Sequence, residues 1–363
     1  MDKMPAWADA VLVPLISLIL AAAISSIVIL AIGENPIEAL NYMIEGALLS
    51  SAGWGQVLYY TTNYIFTGLA VAIASHARLF NIGGEGQAQL GGLGVALLCL
   101  FIPFPHWTIA FVFAIIAAGL FGAAWAYIPA LLQAKRDSHI VITTIMFNYI
   151  AYALLNYMLV NVLRPEGAME PASGNFPGNI HLPTFQEMFS YGDTVLFRSA
   201  PANVSFFLAV IACIGIWLLI WRTRLGYEIR AFGQSDSAAK YAGINPARIT
   251  IIAMLISGAL AGMMALNTTM GYSERLVLNA SEGAGFIGIA VALMGRNHPI
   301  GIFFAALLFG FLVQGGTELS FWTSIPTELV VVIQALVILF TGALDNMIRM
   351  PLVKLFALGK GGR

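Results

Sequence analysis

Asn81, Glu85 and Gln87 fall in the run Phe80-Asn81-Ile82-Gly83-Gly84-Glu85-Gly86-Gln87, polar and glycine-rich within a chain of 363 residues that is 59% hydrophobic and 10% charged. A second carboxylate, Glu282, stands in a similar setting between Ser281 and Gly283, with Gly285 beyond. These side chains supply hydrogen-bond donors and acceptors but no nucleophile, so their chemistry is recognition and passage rather than bond making. A carboxylate at a bilayer centre costs about 2.5–3.5 kcal/mol on insertion scales, so each glutamate needs a partner, a proton, water or a solute. Glycine at three of four successive positions interrupts a helix. Such an interruption survives inside a membrane only where protein or a water-filled cavity satisfies the freed backbone. Two readings stand. Asn81, Glu85, Gln87 and Glu282 line a polar solute path, or the glycine runs are close-packing points between helices with both glutamates near the interfaces.

Other polar residues in apolar stretches, Asn63, Asn148, Asn156, Gln314 and Gln334, are expected to bond helix to helix. Trp54, Tyr59, Tyr60 and Phe66 would either stack on a flat solute or form an interfacial belt. Catalysis finds no support. His76, His106, His139, His181 and His298 are scattered, mostly at the ends of apolar stretches, and read as structural. No Ser–His–Asp set or metal-ligand spacing occurs, and Cys99 and Cys213 read as buried thiols. The phosphate-binding pattern G-x-x-x-x-G-K-[ST] is missing; Gly359-Lys360-Gly361-Gly362 has neither its spacing nor its context. The chain is thus expected to bind no metal or cofactor, and it cannot hydrolyse ATP by that route. A net charge of −1 gives no reason to expect nucleic acid as a partner.

The elements that must position these residues follow from the apolar runs, since a span needs roughly 17–25 apolar residues. Ten stretches qualify or nearly do: Val11–Ile32, Val57–Ser75, Ala88–Phe104, Thr108–Leu132, Ile140–Val162, Asn203–Trp221, Ile249–Met270, Ala284–Met294, Ile300–Gly316 and Leu329–Leu344. The expectation is an all-α polytopic membrane protein of about ten transmembrane helices, forming one transmembrane domain over 1–363 in contact with membrane lipid. Ile37–Ser50, opened by Pro36 and carrying Glu38 and Glu45, reads as an amphipathic helix at the outer interface. The first stretch is 22 residues with no small-residue cleavage site, and reads as a retained span. With the N-terminus inside, 14 of the 17 Lys and Arg residues are cytoplasmic and only Arg164, Arg198 and Arg275 lie outside, which puts both termini in the cytoplasm. An outer loop, 164–201, separates halves 11–163 and 202–345, each with five spans. That odd number inverts the second half relative to the first, as in an inverted repeat. Gly84-Glu85-Gly86 and Ser281-Glu282-Gly283 fall at matching places in the two halves.

The loop 222–248 is the third polar feature, with five of the 17 basic residues. Ser235 reads as an N-cap with Asp236 in the first turn. Gly243 reads as the left-handed residue past the helix end, and Pro246 bars continuation. The result is a helix of about two turns kept slim by Ala238, Ala239 and Ala242, with Glu228 and Arg230 in a preceding linker. A helix this short needs a surface to dock on.

This loop resembles the coupling segment of ABC importer permeases. The shape E-I-R-A-x-G-x-x-x-x-A-A-x-Y-A-G-I is met by Glu228-Ile229-Arg230-Ala231, Gly233, Ala238-Ala239, Tyr241 and Ala242-Gly243-Ile244. Phe80 to Gln87 is similar to the signature of the nucleoside and simple-sugar branch, related to ribose and branched-chain amino-acid permeases, and with the long outer loop is most like the larger nucleoside permease. The resemblance implies a type II importer-like fold in two inverted five-helix halves of a bacterial cytoplasmic membrane. It implies a second permease (often a different chain), a cytoplasmic ABC ATPase and an extracytoplasmic solute-binding protein as partners. It places Glu228, Arg230, Gly233, Ser235, Ala238, Ala239, Tyr241 and Gly243 in coupling, and Asn81, Glu85, Gln87 and Glu282 on the solute path. Permeases for simple sugars or amino acids, and an ion-coupled secondary transporter, are the alternatives.

Overall fold

The computed structural model describes residues 12–190, 197–340 and 350–353. Each of the ten apolar stretches contains a helix: α1 (Val13–Ile32), α3 (Ser51–His76), α4 (Gly84–Phe101), α5 (Trp107–Arg136), α6 (Ile140–Asn161), α8 (Ser205–Arg222), α11 (Pro246–Met263), α12 (Ala284–Met294), α13 (Pro299–Trp322) and α14 (Thr327–Ile338). Interspersed are α2 (Pro36–Ile44), α7 (Phe185–Phe189), α9 (Arg224–Gln234) and α10 (Asp236–Tyr241). The ends of the expected stretches at Val11 and 341–344, and the charges of both termini, lie outside the described residues. The chain is an all-α membrane protein. Among the described residues seven helices are long and apolar enough to span: α1, α3, α5, α6, α8, α11 with its π-helical continuation Leu266–Tyr272, and α13. The count of ten is therefore approximate. α4 is diluted by Glu85, Gln87 and Gln89 in its first turns, and α12, at 11 residues, reaches about 16 Å at 1.5 Å per residue.

The described residues fall into two compact units, one of 1–53 with 311–363 and one of 54–310. In the smaller, Asn35 caps α2 by accepting from the Ile37 N–H at 3.0 Å, and Pro36 opens it, as the sequence suggests. Gly46 lies so close to Glu318, and Gly316 to Val330, that a Cβ at either would stand 2.2 Å or less from the neighbour. Small residues here let helices approach without a driving force from water.

The larger unit holds the polar residues. Its centre is the crossing of α5 on α11: a Cβ on Gly122 would lie 2.2 Å from the Gly258 carbonyl, and one on Gly91 of α4 would lie 2.4 Å from that of Gly262. Ala110, Ala114, Ala118, Ala126 and Ala130 line the buried stripe of α5, while Val112, Ile116 and Leu120 on its other side are exposed, as lipid-facing residues are.

Candidate functional site

After His76 the chain turns through Arg78, at φ 58, and Leu79 returns its N–H to the Ala74 carbonyl. It then runs back beside α3 without helical structure until Gly84. Asn81 Nδ2 donates to Ser257 Oγ of α11 (2.8 Å), which donates to the Ala70 carbonyl of α3 (2.6 Å). Ala70 precedes the end of α3 by six residues, so this contact lies about 9 Å inside the helical layer. The freed backbone is met by side chains at three points. Asn81 Oδ1 accepts from the Gly83 N–H, Asn148 Nδ2 donates to the Ile82 carbonyl, and Asn148 Oδ1 accepts from the Gly86 N–H, each at 2.9 Å. Gln87 closes the ring, donating to Asn81 Oδ1 (3.1 Å) and accepting from Asn81 Nδ2 (2.9 Å). Asn81 and Gln87, both buried, thus have their polar atoms engaged. The glycines start α4 at an internal position rather than breaking a longer helix.

Glu85 is equally occupied. One carboxylate oxygen accepts from Ser281 Oγ and the Gly283 N–H (3.1 Å), and the other accepts from the Gly285 N–H (2.9 Å). These amides lie at the N-terminus of α12, so a carboxylate in the first turn of α4 caps α12, where the helix dipole favours a negative charge. A Cβ on Gly285 would lie 2.3 Å from the Glu85 nitrogen, so glycine is what lets the two helix starts touch. The matching places in the two halves therefore meet, but unequally. Asn148 caps α4, whereas the Glu282 side chain, on a residue at φ 47, makes no hydrogen bond or ion pair among the described residues and is exposed.

Glu282 instead lies within electrostatic reach of the hydroxyls of Tyr59, Tyr60 and Tyr64 on α3. Tyr59 packs on Tyr272 (ring centroids 5.2 Å apart) and on Tyr60 (5.4 Å), and Tyr60 stacks on Tyr64 (6.4 Å). Tyr60 is half-buried and Tyr272 exposed, so the cluster has an open edge. Phe66 is wholly buried and has no such edge. Beneath the tyrosines Asn267, 0% exposed, donates to the Tyr59 carbonyl and Asn63 Oδ1 and accepts from Asn203 Nδ2 and Ser205 Oγ. Asn267, Ser257 and Tyr272 escaped the sequence reading; the one signal was the polar run Asn267-Thr268-Thr269 inside an apolar stretch. Gln89 and Thr269 line a cavity of about 10 Å³, the space of one water, and Gln89 Oε1 and Thr269 Oγ1 have no hydrogen-bond partner among the described residues.

The 222–248 loop contains two helices. Thr223 caps α9 by accepting from the Gly226 N–H (3.1 Å), so Glu228 and Arg230 are helical and not in a linker as expected. α9 is held by close approach: a Cβ on Gly226 would stand 2.1 Å from the Leu219 carbonyl, and one on Gly233 would stand 2.0 Å from that of His76. α10 forms as read. Ser235 Oγ accepts from the Ala238 N–H, Gly243 takes φ 78, and the Ile244 N–H returns to the Ala239 carbonyl. Ala239 is 2% exposed and packs inside this chain, whereas Tyr241 is 97% exposed and Ala238 is also outward. Of α10 only Ala239 is buried, and Tyr241 is the large apolar side chain on its outward side.

The outer loop 164–201 is strapped to the segment before α12. The Ser173 N–H donates to the Leu276 carbonyl (2.9 Å) and the Phe176 N–H to that of Glu274 (2.7 Å). His181 lies between Glu274 and Glu187, with Nε2 3.2 Å from Glu187 Oε1. α7 opens on a capping box between Thr184 and Glu187, and its Phe185 is buried among Phe189, Phe197, Phe206 and Phe207. Among the described residues no group of three or more His, Cys, Asp or Glu is placed to hold a metal.

A family model described as branched-chain amino acid transport system / permease component matches residues 53–342. The nucleoside ABC transporter permease protein NupB of Lactococcus lactis is 34% identical over 331 residues, 91% of this chain and 90% of that protein. The guanosine ABC transporter permease protein NupP of Bacillus subtilis is 33% identical over 335 residues, 92% of this chain and 93% of its own. The glucose ABC transporter permease protein TsgB13 of Haloferax volcanii is 32% identical over 343 residues, 93% and 88% of the two chains.

Proposed function

The chain belongs to the family of branched-chain amino acid transport system permease components, and from that premise we propose that it forms the membrane path for nucleosides in an ATP-driven importer. It is a transport subunit and not an enzyme, working in a complex with other permease and ATPase subunits. The observation that carries the solute reading is the cluster of Tyr59, Tyr60 and Tyr272, open at Tyr60 and Tyr272 and within electrostatic reach of the unpaired Glu282 carboxylate. Aromatic faces suit a flat base, and a carboxylate accepts from ribose hydroxyls. Two of the three relatives above are named for nucleosides. In this reading Asn81, Glu85 and Gln87 build the wall of the path and Glu282 faces it.

Coupling runs through 222–248. α10 presents Ala238 and Tyr241 to the ATPase, while Glu228, Arg230, Gly233, Ser235, Ala239 and Gly243 seat the helix pair on this chain. The second permease is a different chain, an extracytoplasmic protein delivers the solute, and the ATPase alone uses ATP, with no cofactor on this subunit. Halves 11–163 and 202–345 act as inverted repeats of a type II importer-like permease. Both termini and the loop 222–248 face the cytoplasm of a bacterial cell, and the loop 164–201 faces outward.

The test is uptake of labelled guanosine, uridine and glucose into proteoliposomes carrying the assembled complex. ATP-dependent nucleoside uptake, competed by other nucleosides, is the expected result. Glucose uptake untouched by nucleosides would favour the sugar alternative that TsgB13 represents. Transport driven by a proton or sodium gradient without ATP would overturn the assignment.

A further inference from the structure

A second site lies away from the polar crossing. α8 and α13 diverge to leave a groove of about 320 Å³ lined by Val210, Cys213, Ile214, Trp217, Pro299 and Phe303. Its lining is apolar, and Ile214 and the adjoining Ile300 are exposed. Both helices are long and apolar enough to span, so the groove opens to hydrocarbon rather than water. Val210 to Trp217 is seven residues, about 10 Å along the helix axis.

One end of the groove carries a cation. The Arg222 guanidinium lies 5.4 Å from the centroid of the Trp217 ring, so the residue that floors the groove also holds the charge. Arg222 is exposed at the end of α8 and has no carboxylate partner among the described residues, whereas the neighbouring Arg224 is paired with Glu228 at 3.0 Å. An apolar slot ending at an unpaired cation, where a spanning helix stops, matches a molecule with an acyl chain and a negative head. Another helix would fill the slot but leave Arg222 unanswered, and a zwitterionic lipid would give it no net charge. We propose that this groove binds an anionic phospholipid, one acyl chain lying between Trp217 and Phe303 and the phosphate on Arg222.

The complex, purified with its other subunits, is exchanged into detergent with equal phosphatidylglycerol and phosphatidylcholine and examined by native mass spectrometry. Phosphatidylglycerol is expected to be retained selectively on this chain. Arg222→Gln should lower that retention about fivefold, the worth of one basic residue at an anionic surface, without changing phosphatidylcholine retention. Arg224→Gln should leave both unchanged, and Val210→Trp, which fills the groove, should lower both. A photo-crosslinking residue at Ile214 should capture lipid, a readout that stands even if Arg222→Gln misfolds. Equal retention by Arg222→Gln and the parent, no lipid selectivity in the parent, or capture of a second permease chain at position 214 would each overturn the proposal.

Discussion

Glu85 and Glu282 share a sequence setting but differ in what surrounds the carboxylate. Glu85 is answered by Ser281 and two amides of α12, while Glu282 is answered by nothing fixed. Their substitutions should fail differently. Glu85→Ala strands the Gly283 and Gly285 amides in a buried site, a cost of about 1–3 kcal/mol. It should appear as a lower melting temperature and reduced yield, with uptake per folded molecule changed less; Glu85→Gln, which keeps an acceptor, should recover much of the loss. A normally stable Glu85→Ala protein without uptake would instead put Glu85 in contact with solute. Glu282→Gln should fold normally and raise the KM for uptake, because its carboxylate bonds to nothing in the resting chain. Unchanged kinetics would remove Glu282 from the path.

At the scale of elements, the two helices of the 222–248 loop show what a sequence carries and what it does not. The caps of α10 were legible because Ser235, Asp236 and Gly243 act within one turn of the backbone they satisfy. α9 was not legible. Gly226 and Gly233 weaken it locally, and its stability comes from the backbone of α8 and the end of α3, contacts that no local pattern announces. The same division holds at the crossing. The apolar runs announced the helices, but the partners of Asn81 and Glu85 lie 176 and 196 residues away, at Ser257 and Ser281. Because Ala239 faces inward, Ala239→Arg would disrupt the permease itself. Tyr241→Ala is the informative change: it removes an exposed side chain, so the subunit should stay folded while co-purification of the ATPase and solute-stimulated ATP hydrolysis fall. Full ATPase recovery with Tyr241→Ala would move the contact elsewhere. Ser235→Ala should cost about 1 kcal/mol in the seating of α10, read as faster amide exchange over 236–242.

At the scale of the molecule, the loop that divides the chain in sequence joins it in space, since residues 173–176 pair with 274–276 just before Glu282 and α12. His181 is the titratable part of that strap. Burial pulls its pKa down, but the hydrogen bond and charge of Glu274, with those of Glu187, outweigh this and hold it above the usual histidine value. The protonated form is therefore favoured by folding. Its contribution is complete below about pH 6.5, the unfolded value, and is lost as pH rises through the higher folded one. The Arg275–Glu170 pair (3.2 Å) lies beside it on the same strap. Amide exchange over 173–187 and 274–279, corrected for the intrinsic rate, should therefore be slowest near about pH 6 and should quicken toward about pH 8.5. His181→Gln should exchange faster at the lower pH and lose the slope. If both proteins keep the same slope, the strap is held by its backbone bonds alone, and the access of solute to Glu282 from the outer side does not vary with pH through His181.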